Sequence, residues 1–225
     1  MGLVAAGLLA LGLGGSLATA AGASSSGSAS LTQARKDLLT LSDMPSGWKS
    51  TKNTNTNDNT AGAAQLAHCV GVSTSLIAEN PPSVNSPQFQ NTQGTLTVAD
   101  NVTVFPSAKN AAAEHAVAVN PKLAPCMTSL ASGPLKAKLF GKTPKSTSLG
   151  TPLVSPIAST AFGPGIVGYS LSIPITTRGV TLNVTVTQLI AVKGRLGHQV
   201  SFTSVGAPFS LALEKQIMAV ASRQL

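Results

Sequence analysis

A regular alternation of apolar and polar residues is the clearest pattern in the chain, and it lies between residues 165 and 205. A period of two is that of a β-strand with one buried face. Three successive segments show it, so the pattern predicts a three-stranded antiparallel meander at the centre of the domain. Its apolar positions are Val167, Tyr169, Leu171, Ile173, Ile175, then Leu182, Val184, Val186, Ile190, Val192, then Val200 and Phe202.

The breaks between these segments contain turn residues, Arg178 with Gly179 and then residues 193–197. Pro174 has no N–H to donate, so we expect the first strand to lie at a sheet edge or to contain a bulge. The apolar face of such a sheet needs cover. The predicted fold class is therefore α+β, an antiparallel sheet with a C-terminal three-stranded meander covered by helices on one face.

Helical signals lie on both sides of the meander. Ser30 and Ser107 are suitable N-cap residues, and a stop at Gly71 favours a helix over residues 61–70. Asn120 and Pro121 begin another helix. After Pro208 the apolar stripe of a last helix is suited to packing on the meander: Phe209, Leu213, Ile217 and Val220.

Further strands are predicted over residues 86–92, 95–105 and 146–156. In the second of these, Asp100 falls in phase with the apolar residues Val98 and Val102. A buried carboxylate is costly, so we expect a bulge or turn at residues 99–101 that takes Asp100 out of the core.

The N-terminal segment has the composition of an export signal. Residues 1–23 read as a signal peptide with small residues at the cleavage position, and residues 24–30 as a flexible linker. Residues 31–225 then form a single domain, expected to be a monomer. The predicted location is secreted or in the cell envelope, and an uncleaved N-terminal anchor is the alternative.

Composition and charge restrict the partners. The chain has 225 residues, of which 43% are hydrophobic and 4% are aromatic. These are too few aromatic rings to favour stacking on nucleic-acid bases, so no nucleic-acid partner is expected.

The net charge is +8, and no acid occurs between Glu114 and Glu214. A solvated surface explains this distribution, and a site for an anionic envelope polymer or lipid is the alternative. Its candidate residues are Lys136, Lys138, Lys142 and Lys145.

Two cysteines in an exported chain favour one disulfide, Cys69 to Cys126. A metal site that also uses His68 is the alternative, but adjacent His and Cys do not match common ligand spacings. We therefore expect no metal and no cofactor.

Catalytic signatures are weak. The G-x-G-x-x-G at residues 163–168 leads into a strand, which favours a turn over a nucleotide site, and Asp43 fits a turn. His198 lies in phase with Val200 and Phe202, with no carboxylate partner evident, which favours a structural role at the sheet end. The chain is therefore predicted not to be an enzyme; an unrecognised hydrolase is a third hypothesis.

Three features resemble a known group of proteins: the segment 39–48, the two cysteines around the strand at residues 102–105, and the stretch from residue 190 to Glu214. Together they resemble exported actinobacterial domains, namely the extracellular sensor domains of membrane serine/threonine kinases and related envelope lipoproteins. The resemblance implies a helix-flanked antiparallel sheet with a ligand cleft. It supplies no catalytic residues, and this chain has one cysteine pair where the sensor domains carry two disulfides.

The predicted function is an exported, non-enzymatic ligand-binding or sensor-like module of the cell envelope. Its expected partner is a small apolar or amphiphilic envelope molecule, bound on the sheet face opposite the core. The alternative is a surface-interaction protein that docks on anionic lipid or polymer through the four lysines. The hydroxyl residues predicted to line the ligand cleft are Ser170, Ser172, Thr185 and Thr187.

Overall fold

A computed structural model describes residues 25–53, 60–73, 81–132, 147–157 and 161–224. These ranges contain five α-helices and a short 3₁₀ helix, Leu41–Asp43. The α-helices are α1 Ser25–Lys36, α2 Thr60–Val70, α3 Ala108–Ala118, α4 Leu123–Ser132 and α5 Leu211–Gln224. No helix in this part of the chain has the length and apolarity needed to cross a bilayer.

Nine described strands form one antiparallel sheet, in the order β1-β3-β4-β9-β8-β7-β5. Strand β2 pairs with β4 beside β3, and β6 pairs with β7 beside β5. The strands are β1 Lys49–Thr51, β2 Ser83–Asn85, β3 Gln88–Gln90, β4 Leu96–Val104, β5 Thr147–Leu149, β6 Leu153–Ile157, β7 Ile166–Thr177, β8 Val180–Lys193 and β9 Leu196–Val205. The α+β class and the C-terminal meander are confirmed.

The helices cover both faces of this sheet, where the sequence placed them on one. Directly paired residues of antiparallel strands point to the same face. Val186 pairs with Leu171, whereas Val200 pairs with Leu189, so the apolar residues of β9 point away from those of β7. The period-two pattern was correct in each strand, but the register sends the third strand's apolar set to the opposite face.

The face that holds Leu171, Ile173 and Val186 is called the disulfide face. Helices α2 and α4 pack on it around Met127 and Leu66, and α3 lies over β7 and β8. This cover therefore lies on the β7 side of the sheet.

The opposite face, called the α5 face, holds Leu189, Val200 and Phe202. Ile217 and Met218 of α5 pack there, next to Phe209, whose ring meets Phe202 edge-on with centroids 5.4 Å apart. Helix α1 packs on β2 and β4. We call the helices on each face its cover. The two covers lie mainly over opposite halves of the sheet as well as on opposite faces.

Strand β7 is an inner strand, so of the two alternatives expected from Pro174, an edge position or a bulge, the edge position is wrong. Strand β6 pairs with β7 as far as Ser172 and β5 pairs from Ile175 onwards, so Pro174 falls at the gap between them. The backbone N–H of Gly150 donates to the Pro174 carbonyl at 2.7 Å. A Cβ on residue 150 would lie 2.9 Å from Pro174 Cβ, which explains why glycine occupies this close approach to Pro174.

Several local predictions also differ from the structure. Helix α1 begins at Ser25, inside the segment predicted as a flexible linker. The strand expected over residues 146–156 is two short strands, β5 and β6.

Ser107 caps α3 as expected, because its hydroxyl oxygen accepts the Asn110 N–H at 3.2 Å.

Candidate functional site

Two rows of hydroxyl-bearing residues cross the α5 face beyond the main packing of α5. Ser155 of β6, Ser170 of β7 and Thr187 of β8 are directly paired in one row. In the next row Thr185 of β8 pairs with Ser172 of β7 and with Ser204 of β9. We call Ser155, Ser170, Ser172, Thr185 and Thr187 the hydroxyl surface.

Accessibility changes along these rows. Ser155 at the edge is exposed, Ser170, Ser172 and Thr185 are half-buried, and Thr187 is buried. The predicted ligand residues are therefore together on one face, as expected. They lie beside a second core rather than opposite the only one.

An acid lies at the buried end of the hydroxyl surface. Glu214, in the first turn of α5, is only 8% exposed, and the Thr187 side chain forms a hydrogen bond to its carboxyl group. Burial raises the pKa of Glu214, while the hydrogen bond from Thr187 acts in the opposite direction. The uncharged acid is thus favoured here more than in water.

An exposed leucine lies beside the hydroxyls. Leu153 of β6 pairs directly with Ser172 and is 63% exposed. Leu153 therefore lies on the same face and in the same row as Ser172 and Thr185. Neighbouring hydroxyl and apolar groups suit a molecule that has both polar and apolar parts.

A second polar cluster lies on the disulfide face. The Tyr169 hydroxyl donates to Gln188 Oε1, which also accepts Gln199 Nε2–H at 3.0 Å. Gln188 Nε2 donates to Ser201 Oγ at 3.3 Å. Gln188 is 1% exposed, so these bonds satisfy a polar side chain that is inside the protein.

Glu114 of α3 approaches this cluster, and sequence reasoning missed it. Burial raises the pKa of Glu114 to about 7. Burial, and then the charge of Glu114, also raise the pKa of Tyr169. The available signal was helical spacing, because Glu114 lies three residues after Ala111 and four before Ala118, both buried.

Asp100 is a buried residue of a continuous β4, so the predicted bulge or turn at residues 99–101 is wrong. Its Oδ2 lies 2.9 Å from Nε2 of His198 and accepts the Leu39 N–H at 2.9 Å. Strands β4 and β9 pair without interruption at this point. The buried partner compensates for the cost of burying the carboxylate.

His198 is likewise in the sheet interior and not at its end. Its side chain is fully buried, and its Nδ1 donates to the Ala221 carbonyl of α5 at 2.9 Å. The carboxylate partner that the sequence did not reveal is Asp100, 98 positions away. Full burial keeps this imidazole from a substrate, so the group holds β4, β9, Leu39 and α5 together.

The disulfide is present as predicted. Cys69 of α2 and Cys126 of α4 are joined, with 5.8 Å between their Cα atoms. Because each sulfur is bonded to the other, neither is a thiolate ligand for the alternative metal site with His68. Among described residues, no group of three or more His, Cys, Asp or Glu is placed to hold a metal.

Other predicted site residues have different outcomes. Asp43 accepts the Thr40 N–H at 2.7 Å, which is a capping role. The glycine-rich stretch forms a turn before β7, with Gly163 and Gly165 at positive φ. The four candidate anion-binding residues lie outside the described ranges: Lys136, Lys138, Lys142 and Lys145.

Comparison with known proteins assigns the chain to no family. No family model matches it, and no curated protein matches its sequence. Among solved structures it is similar to the extracellular domain of PknH from Mycobacterium tuberculosis, with a TM-score of 0.43 and 10% identity, covering 86% of this chain and 95% of that chain. This is a weak resemblance at the level of the fold, and it assigns no function to this chain.

Proposed function

We propose that this chain is an extracytoplasmic, non-enzymatic binding or sensor-like module that holds a small amphiphilic envelope molecule on the hydroxyl surface. The observation that supports this most directly is the pairing of hydroxyls on neighbouring strands, Ser170 with Thr187 and Ser172 with Thr185. Cross-strand partners are within about 5.5 Å of each other, close enough for one ligand group to contact both.

The chemistry of the surroundings supports an amphiphilic ligand. Hydroxyls both donate and accept hydrogen bonds, so they suit uncharged polar groups such as sugar or glycerol hydroxyls. Leu153 offers an exposed apolar contact beside Ser172. Burial raises the pKa of Glu214, so its ionised form is less favoured here than in water, which gives less support to a cationic head group.

Two observations support the proposed location outside the cytoplasm. A disulfide between α2 and α4 persists in an oxidising compartment, and the N-terminal sequence has the composition of an export signal. Both observations support a function outside the cytoplasm.

The absence of an enzymatic role is part of the proposal. A nucleophilic hydroxyl needs a base within hydrogen-bond reach. Within the described residues, the imidazole of His198 is fully buried and bonded to Asp100. Glu214 is bonded to a hydroxyl, that of Thr187, but both side chains are buried, which keeps this pair from a substrate. The hydroxyl surface therefore supports binding better than acyl or glycosyl transfer.

The test is native mass spectrometry of protein purified from its own envelope. Ser172→Val with Thr185→Val removes two paired hydroxyls, and Thr97→Val with Thr203→Val is the matched control, a half-buried pair on the disulfide face. We expect a bound mass in the natural chain and in the control, and its loss in the first variant. No bound mass in the natural chain, or equal occupancy in all three, would contradict the proposal.

A further inference from the structure

Two titratable residues, Asp100 and His198, are in direct contact in the interior of the α5 face. A third, Asp37, follows the end of α1, is 5% exposed, and its charge acts on His198. We infer that Asp37, Asp100 and His198 form a proton-binding site that attaches the helices of the α5 face to the sheet and loosens them when the proton is lost.

The hydrogen-bond geometry requires one proton between His198 and Asp100. A carbonyl oxygen only accepts, so the bond to Ala221 assigns a hydrogen to Nδ1 of His198. Nε2 and Asp100 Oδ2 are 2.9 Å apart, a distance that requires a hydrogen between them. If that proton leaves, an imidazole lone pair faces a carboxylate lone pair, and the contact becomes repulsive.

The same oxygen connects other segments. Asp100 Oδ2 also accepts the Leu39 N–H, and His198 bonds to the carbonyl of Ala221 near the end of α5. One proton therefore maintains contacts among β4, β9, the segment after α1 and the last helix. Its loss is expected to weaken both attachments to the sheet together.

Two carboxylates hold the proton. In the described part of the chain, Asp37 Oδ2 and Asp100 Oδ1 are buried and accept no hydrogen bond, while Asp37 Oδ1 accepts Gln33 Nε2–H at 2.7 Å. Little hydrogen bonding competes for the negative charge of these oxygens, which favours an imidazolium nearby.

Burial by itself lowers the pKa of His198. The charge and hydrogen bond of Asp100, the hydrogen bond to Ala221 and the charge of Asp37 outweigh this, so the pKa of His198 is raised above its ordinary value of 6.5. The proton is therefore held more tightly than on a free histidine.

No other charged side chain described on the packed elements competes for this role. Glu214 of α5 is bonded to Thr187, away from the cluster. The cations of α1 and α5 are exposed to solvent: Arg35, Lys36, Lys215 and Arg223.

The direction of the pH effect follows from linkage. A histidine whose pKa is higher in the folded than in the unfolded chain contributes stability that is fully present below 6.5. This contribution is lost as the pH rises through the folded pKa. The proton site therefore responds to alkaline conditions.

The experiment combines NMR titration of the His198 ring with urea unfolding as a function of pH, on the full chain and on Asp100→Asn. The variant keeps the size of the side chain without its charge. Its amide can donate to a neutral imidazole, but the Leu39 N–H then loses the acceptor that it shares with His198. We expect the pKa of His198 above 6.5 in the natural chain and below 6.5 in the variant, with a larger loss of stability above pH 6.5 in the natural chain than in the variant. His115→Gln, on α3, is the control and should keep the natural pH profile.

Glu114 also contributes to the pH dependence of stability, but both chains retain it, so its contribution cancels in the comparison. If His198 titrates below 6.5 in the natural chain, or if both chains lose stability equally above 6.5, the inference fails. If Asp100→Asn does not fold, titration of His198 in the natural chain and in an Asp37→Asn variant still tests the inference. That variant must lower the pKa of His198, and an unchanged value overturns the cluster.

Discussion

The two faces of the sheet hold their helices by different chemistry. On the disulfide face, α2 and α4 are joined covalently through Cys69 and Cys126. On the α5 face, α5 and the segment after α1 are attached through the hydrogen bonds of Asp100 and His198. A covalent bond responds to reductant and not to a proton, whereas the buried pair responds to a proton. The same sheet therefore carries two covers with different sensitivities.

The two faces also differ in where they carry polar groups. The disulfide face encloses a hydrogen-bonded set centred on Gln188, next to Glu114. The α5 face presents half-buried hydroxyls at Ser170, Ser172 and Thr185. A satisfied, buried network stabilises structure, whereas accessible hydroxyls are available to a ligand. This difference is the reason that we propose ligand binding on the α5 face.

Removal of the disulfide should have the largest effect. Cys69→Ser with Cys126→Ser opens a loop of 57 residues, and the expected loss in the free energy of unfolding is roughly 4 kcal/mol in the chain-entropy model. Urea unfolding measures it, with dithiothreitol as the matched treatment of the natural chain. Reductant should not change the variant further, and a loss below about 1 kcal/mol would contradict a fastening role.

Asp100→Ala comes next, because it leaves the buried His198 and the Leu39 N–H without a partner. Breaking a buried pair in this way is expected to cost about 3 kcal/mol. Asp43→Ala is the control, as it removes an exposed capping carboxylate at a cost of about 1 kcal/mol. Equal losses for the two aspartates would argue against the buried pair as an attachment.

Glu114→Gln should stabilise the chain at neutral pH. The pKa of Glu114 is raised to about 7 from 4.5, so the folded state prefers the uncharged acid and stability falls as the pH rises between these values. One pKa unit corresponds to about 1.4 kcal/mol, and partial solvent access reduces the total, so the expected gain at pH 7 is about 1–2 kcal/mol. A variant less stable than the natural chain at pH 7 would refute the assignment; at pH 4 the two should differ little.

Tyr169→Phe should have the smallest effect. It removes one donor from the buried Gln188 but leaves the Gln199 bond, so a loss of about 1 kcal/mol is expected. Thr176→Val, which removes an exposed hydroxyl bond to Thr181, should change stability by less than about 0.5 kcal/mol. A larger effect for the exposed threonine than for Tyr169 would show that the buried network is not what stabilises this face.

Much of the fold could be predicted, because it depends on patterns within single segments. The alternation in β7 and β8, the cap at Ser107 and the two cysteines are all local or compositional signals. The side on which each helix packs was not predictable in this way. It depends on the register that pairs Val200 with Leu189, and register is a relation between strands.

The buried pair was missed for the same reason. Asp100 in phase with Val98 and Val102, and His198 in phase with Val200, were each visible as polar residues at apolar positions. Their pairing depends on the alignment of β4 with β9 over 98 positions. Considered together, an in-phase acid and an in-phase histidine would have favoured a buried pair over a bulge.

Amide hydrogen exchange on the natural chain tests the central claim, that the two covers are held independently. Reductant should accelerate exchange in α2 and α4 and leave α5 and Leu39 unchanged. Raising the pH through the pKa of His198 should, after correction for intrinsic rates, accelerate α5 and Leu39 and leave α2 and α4 unchanged. If both treatments accelerate the same amides, the two faces are not separately fastened and the account is wrong.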